Sequence, residues 1–181
     1  VVVASTGVIG QPLDITPIEN GIPSLIASLG NNSEDAAEGI MTTDTVKKEV
    51  AVEFELDGKK CHIGAITKGS GMIHPQMATM LCFITTDVAI TPKMLDKALK
   101  STVDDTFNMV SVDGDTSTND MVSIMANGMA GNAIIDSENN DYNEFVKALY
   151  YVNTELAKGM AKDGEGATKL LICEVKNAKT K

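Results

Sequence analysis

Apolar and polar positions follow two different rhythms along this chain. Val50, Val52, Phe54 and Leu56 alternate with Ala51, Glu53, Glu55 and Asp57, the pattern of a half-buried strand. Asp57-Gly58-Lys59-Lys60 then reads as a hairpin turn, and Cys61 to Thr67 as a more apolar returning strand. Met77 to Thr85 is apolar enough for a central strand. Val1 to Ala4, Val110 to Asp115 and Ala167 to Val175 predict three further strands. The helical rhythm is clearest from Asp141 to Lys162, where Tyr142, Phe145, Val146, Leu149, Val152, Leu156 and Met160 form one stripe. Thr16-Pro17 opens another helix, with Ile18, Ile22, Leu25, Ile26 and Leu29 in step and Gly30 as its stop. Shorter helices are expected from Ser33 to about Met41 and from Thr91-Pro92 to about Lys100. Met121 to Ala126 is read as helix. Interleaved helices and strands with a hairpin give an α/β or α+β class and one domain, or a large part of one.

Charge narrows the function. Fifteen basic residues, all Lys, face 25 acidic ones, for a net charge of −10. A basic face for nucleic acid is therefore not expected. Without Arg, any anion must be held by Lys, hydroxyls or backbone N–H groups. Cys61, Cys82 and Cys173 are far apart, and with His62 and His74 they match no metal-ligand spacing. They are expected as buried thiols. The histidines are read as structural or surface groups without a Ser or Cys partner. No signal peptide is visible, so a cytoplasmic location is expected. The chain opens on Val1-Val2-Val3-Ala4 without Met, so an upstream piece is expected.

Three segments hold candidate chemistry. In Lys68 to Thr79, a glycine-rich loop runs into Ala78-Thr79. If the bond before Thr79 is cut, the new α-amine stands beside the Thr79 hydroxyl and can act as its base. The same loop is also common as plain architecture before a strand. Ser5-Thr6-Gly7 puts a hydroxyl next to a glycine N–H, a pair that could stabilise an oxyanion, or a simple turn. In Val110 to Asp120, Asp113-x-Asp115 could hold Mg²⁺, but a hydrogen-bonded turn is favoured.

Taken together, five segments in one order strongly resemble a known family. They are Ser5 to Gly10, Met41 to Thr45, Lys68 to Leu81, Val112 to Asp120 and Asp163 to Lys169. The family is the bifunctional ornithine acetyltransferase and N-acetylglutamate synthase of arginine biosynthesis. The resemblance implies a precursor that cuts itself at Ala78–Thr79, leaving 1–78 as the end of an α piece and 79–181 as the start of a β piece. It implies Thr79 as nucleophile, Thr6 and Gly7 as the oxyanion pair, and Thr42, Lys68 and Glu165 as substrate contacts. Acetyl would pass from N-acetylornithine to glutamate through an acetyl-Thr ester. No cofactor or metal is implied, although acetyl-CoA could serve as a co-substrate. The partners implied are these small molecules and the paired α and β pieces, not nucleic acid or membrane. The implied fold is a sandwich of two sheets between helix layers, resembling but distinct from the N-terminal-nucleophile hydrolases. Gln76 stands where the family pattern usually has Asn. Two alternatives remain: a self-processing aminopeptidase or amidase of similar fold, and a truncated, inactive fragment.

Overall fold

The computed structural model describes residues 2–74 and 79–180. A helix α1 (Thr16–Ala27) and a short α2 (Ser33–Gly39) precede the hairpin β1 (Lys48–Leu56) and β2 (Lys59–Lys68). Then come β3 (Leu81–Thr86), α3 (Pro92–Asp104), a 3-10 turn at Phe107–Met109, β4 (Met121–Ala126) and α4 (Asn140–Lys162). Among the described residues the strands form one sheet in the order β1-β2-β3-β4. The first three are antiparallel and β4 runs parallel to β3.

The alternation seen in the sequence sets the two faces of this sheet. Cys61, Ile63 and Ala65 of β2 and Cys82 and Ile84 of β3 point to one side, where they are buried with Leu56. There they meet Phe145, Leu149, Val152, Leu156 and Met160, the stripe of α4. Side chains of this size each contribute roughly 1.5–3 kcal/mol when fully buried, so this stripe is the main fastening of α4 to the hairpin. Asn139 caps α4 by accepting the Tyr142 N–H at 2.9 Å. Thr91 caps α3 in the same way, with Pro92 in the first turn. The other face presents Ala51, Gly64, Ile66, Phe83 and Thr85, bordered at one end by α2.

The α/β class agrees with the expectation. Of the implied layering, the described residues supply one sheet with α4 packed on one face and the short α2 at the end of the other. Several elements differ from the sequence reading. Met121 to Ala126 is strand, not helix: pairing along β3, from Leu81↔Met121 to Thr86↔Ala126, overrides the helical leaning of Met and Ala. Val110 to Asp115 is not a strand; it follows the 3-10 turn and tightens at Gly114, where φ is +83°. Ala167 to Val175 forms no strand, and Leu171 is 87% exposed. Residues 2–15 likewise hold no strand, although Val1 itself lies outside the described residues. Of the strand expected over 77–85, Met77 and Ala78 lie outside the described residues and the rest pairs only from Leu81. Helix α1 is present, but none of its apolar stripe is buried. Cys61 and Cys82 are buried, and burial pushes the Cys82 thiol up to about 12; Cys173 is exposed, against the expectation.

Candidate active site around Thr79

The end of β2 carries Lys68, and the chain then turns through Gly69-Ser70-Gly71-Met72. Gly69 has φ +147°, and a Cβ there would stand 3.0 Å from the Thr79 carbonyl oxygen. At Gly71 a Cβ would stand 2.7 Å from the Glu165 carboxylate. The two glycines thus let Thr79 and Glu165 approach the loop from different directions. The Thr79 N–H donates to the Met72 carbonyl at 2.9 Å, which closes the loop onto itself. Glu165 is anchored by its own N–H, which donates to the Ser70 carbonyl at 2.7 Å.

These groups line a cavity of about 310 Å³, walled by Thr43, Lys68, Ser70, Thr79, Asp113 and Glu165, with Asp115 at its edge. Lys68 is almost fully buried and donates to the Thr42 hydroxyl at 3.1 Å. Burial lowers the Lys68 pKa below that of an ordinary lysine, against the pull of Asp44. The Thr79 hydroxyl oxygen is buried and has no hydrogen-bond partner among the described residues. Among the described residues the cavity thus carries one ammonium, Lys68, and three carboxylates, Asp113, Asp115 and Glu165.

The structure therefore lines one cavity with Lys68, Thr79 and Glu165 and ties Thr42 to it through the Lys68 ammonium, four of the residues that the sequence singles out. It does not bring Thr6 and Gly7 to the same cavity. They line a second one, with Thr118 and Asn119 on its other side. Ala78 lies outside the described residues.

The sequence reading missed the residues that hold the loop. Asp113 accepts the Met72 and Ile73 N–H groups, the latter at 2.9 Å, and also the Asp115 N–H. These donors outweigh its partial burial and hold its carboxyl below the usual range. This is the hydrogen-bonded turn expected from the sequence. Asp120 accepts the Met80 N–H at 3.0 Å, so it fixes the residue after Thr79; burial raises its pKa. The segment reads as a hydrogen-bonded turn in the sequence, but no spacing there shows that Asp113 reaches across to the Met72–Ile73 loop or Asp120 to Met80. Thr43 and Ser70, joined hydroxyl to hydroxyl at 2.7 Å, were not singled out at all. The histidines are exposed: His62 pairs with Asp87 and Glu53, while His74 meets the Ser111 hydroxyl at 3.4 Å, a partner that the sequence did not suggest.

Comparison with known proteins identifies the family of the chain. The chain is 58% identical over 176 residues to arginine biosynthesis bifunctional protein ArgJ 1 of Clostridium acetobutylicum, covering 97% of this chain and 43% of that protein. It is 53% identical over 184 residues to glutamate N-acetyltransferase of Methanocaldococcus jannaschii, covering 99% and 45%. The crystal structure of ArgJ from Bacillus halodurans aligns with a TM-score of 0.47 at 50% identity, over 48% of this chain and 41% of that one. The chain thus spans less than half the length of the curated relatives it matches. The ArgJ family model matches residues 1–181, and the chain belongs to the ArgJ family.

Proposed function

We propose that this chain carries the nucleophile of an acetyltransferase that moves acetyl from N-acetylornithine to glutamate. The observation that carries the reading is the Thr79 hydroxyl, buried and without a hydrogen-bond partner among the described residues, at the wall of a cavity that also holds Lys68 and Glu165. Similarity to a bifunctional arginine-biosynthesis protein and to a glutamate N-acetyltransferase supports it.

Maturation comes first. The Thr79 oxygen attacks the Ala78 carbonyl carbon, the C–N bond breaks and an ester replaces the amide. Water then hydrolyses the ester, leaving a carboxylate on Ala78 and a free amine on Thr79. That amine has an ordinary pKa of about 7.7–8.0 and accepts the proton of its own hydroxyl. The freed oxygen attacks the acetyl carbonyl of N-acetylornithine. Ornithine leaves with a proton on its amine, and the acetyl group stays on Thr79 as an ester. The amine of glutamate attacks this ester and regenerates the hydroxyl. Lys68 holds the substrate carboxylate, Thr42 orients the amide, and Glu165 receives the side-chain cation of ornithine. The oxyanion role of Thr6 and Gly7 rests on their motif alone. Acetyl-CoA is a second acetyl donor in the same cycle.

After the cut the α and β pieces stay together in the cytoplasm. β2 and β3 pair from Ile63↔Thr86 to Lys68↔Leu81 across the break, and α4 covers the hairpin of the other piece. The test is acetyl transfer by the complete protein. Thr79→Ala is expected to remain one piece and lose at least about 10³-fold in rate, the scale of losing a nucleophile. Normal turnover in that variant would end the proposal. Ornithine release that does not need glutamate would mark an amidase in its place.

A further inference from the structure

Beside the cavity lies a group of buried charges that the reaction does not use. Asp44, Lys48 and Asp163 have side chains only 1%, 3% and 5% exposed. The Lys48 ammonium donates to Asp44 at 2.7 Å and to Asp163 at 2.6 Å. Each carboxylate also takes backbone donors. Asp44 accepts the Gly69 N–H at 2.8 Å and the Thr42 N–H at 3.2 Å. Asp163 accepts the Thr45 N–H at 3.0 Å and the Thr45 hydroxyl.

The positions of these donors are what matters. Gly69 follows Lys68, and Thr42 supplies the hydroxyl that Lys68 grips. Asp163 ends α4 and stands two residues before Glu165. One network therefore joins the three segments that carry Thr42, Lys68 and Glu165. Apolar side chains could fill the same volume at no loss of stability; the charges add fixed direction, because each hydrogen bond ties a donor of one segment to an acceptor of another.

We propose that Asp44 is a positioning residue. By holding the Thr42 and Gly69 N–H groups it aims the Lys68 ammonium at the substrate carboxylate, and Lys48 and Asp163 extend the constraint to Glu165. The inference rests on the proposed role of Lys68 and says what makes that role possible.

The test is a double-variant cycle in the complete, self-processed protein, with KM for glutamate and N-acetylornithine and kcat per cleaved chain. Asp44→Asn is expected to raise KM about tenfold, within the range of couplings inside one network, and to change kcat less than about twofold. In a Lys68→Met background the same change is expected to alter kcat/KM less than about twofold, because the group it aims is gone. Equal fold-losses in both backgrounds would show a merely structural residue and overturn the proposal, as would an unchanged KM in Asp44→Asn alone. Should Asp44→Asn not accumulate as folded protein, Asp44→Glu keeps the charge and moves it by one methylene, and the same non-additivity is expected. Failure of both variants to fold would make Asp44 a folding residue and also overturn the proposal. An unchanged KM in Lys68→Met alone would instead sink the role of Lys68 itself, a result distinct from additivity in the cycle.

Discussion

Single residues set what the cavity can bind. Gly71 lies against the Glu165 carboxylate, so Gly71→Ala must displace that side chain, whose carboxylate is the movable end. The expected outcome is weaker binding of N-acetylornithine, by about tenfold in KM, with little change in glutamate KM or in thermal midpoint. Gly69→Ala differs, because its Cβ would stand 3.0 Å from the backbone carbonyl of Thr79 and its φ of +147° is one that L side chains rarely adopt. It should destabilise the fold by about 1–3 kcal/mol, read in denaturant unfolding. Lys68 supplies a pH signature. Its lowered pKa means that it loses its proton at lower pH than an ordinary lysine. Carboxylate binding should then weaken as pH rises through that value, and the rise in KM should be absent in Lys68→Met. At the acid end the sign is opposite. For Asp44, the Gly69 N–H, Lys48 and the Thr42 N–H outweigh burial; for Asp163, Lys48 and Thr45 do so, and both carboxyls stay below the ordinary 3.8. In the folded state they bind fewer protons than in the unfolded chain. Their contribution to stability is thus present above that ordinary value and lost as pH falls through the lowered ones. Acid unfolding monitored by circular dichroism should show a shallower acid limb in Asp44→Asn.

At the scale of elements, the long amphipathic helix and the hairpin were legible because each has one face to bury. Leu149→Ala, fully buried between α4 and the sheet, should cost about 2–5 kcal/mol and shift the denaturant midpoint without changing its slope. β4 was not legible. Met121, Met125 and Ala126 lean toward helix, and the alternation of Val122 and Ile124 is too short to outweigh them. Only the neighbouring strand β3 decides the matter, and it lies some 40 positions away in the parallel register. The stretch from Val110 to Asp115 failed for a related reason. Its β-branched residues suggested a strand, but its hydrogen bonds go to the Met72–Ile73 loop and not to a strand partner: the Val112 N–H reaches the Ile73 carbonyl at 2.8 Å. In the candidate site, Thr42, Lys68, Thr79 and Glu165 could be named from their motifs. The supporting carboxylates Asp44, Asp113 and Asp120 could not be assigned, because hydrogen bonds to backbone N–H groups leave no spacing pattern.

Across the whole molecule, the proposed cut before Thr79 would divide the chain in chemistry but not in packing. The hairpin, which precedes that residue, and α4, which follows it, share one core. Cutting there separates the covalent chain while leaving the sheet and the helix layer paired, so the pieces should part only in denaturant. Helix α1 and the open face of the sheet, with Ile66 and Phe83 on it, belong to a chain that spans under half the length of its relatives. Everything proposed for Lys68, Glu165 and Asp44 depends on Thr79 becoming a free amino terminus. The most direct measurement is the intact mass, under denaturing conditions, of the complete protein and its Thr79→Ala variant. The account predicts two wild-type pieces that meet between Ala78 and Thr79, and one unbroken variant chain. An unbroken wild-type chain that still transfers acetyl from N-acetylornithine to glutamate would contradict it.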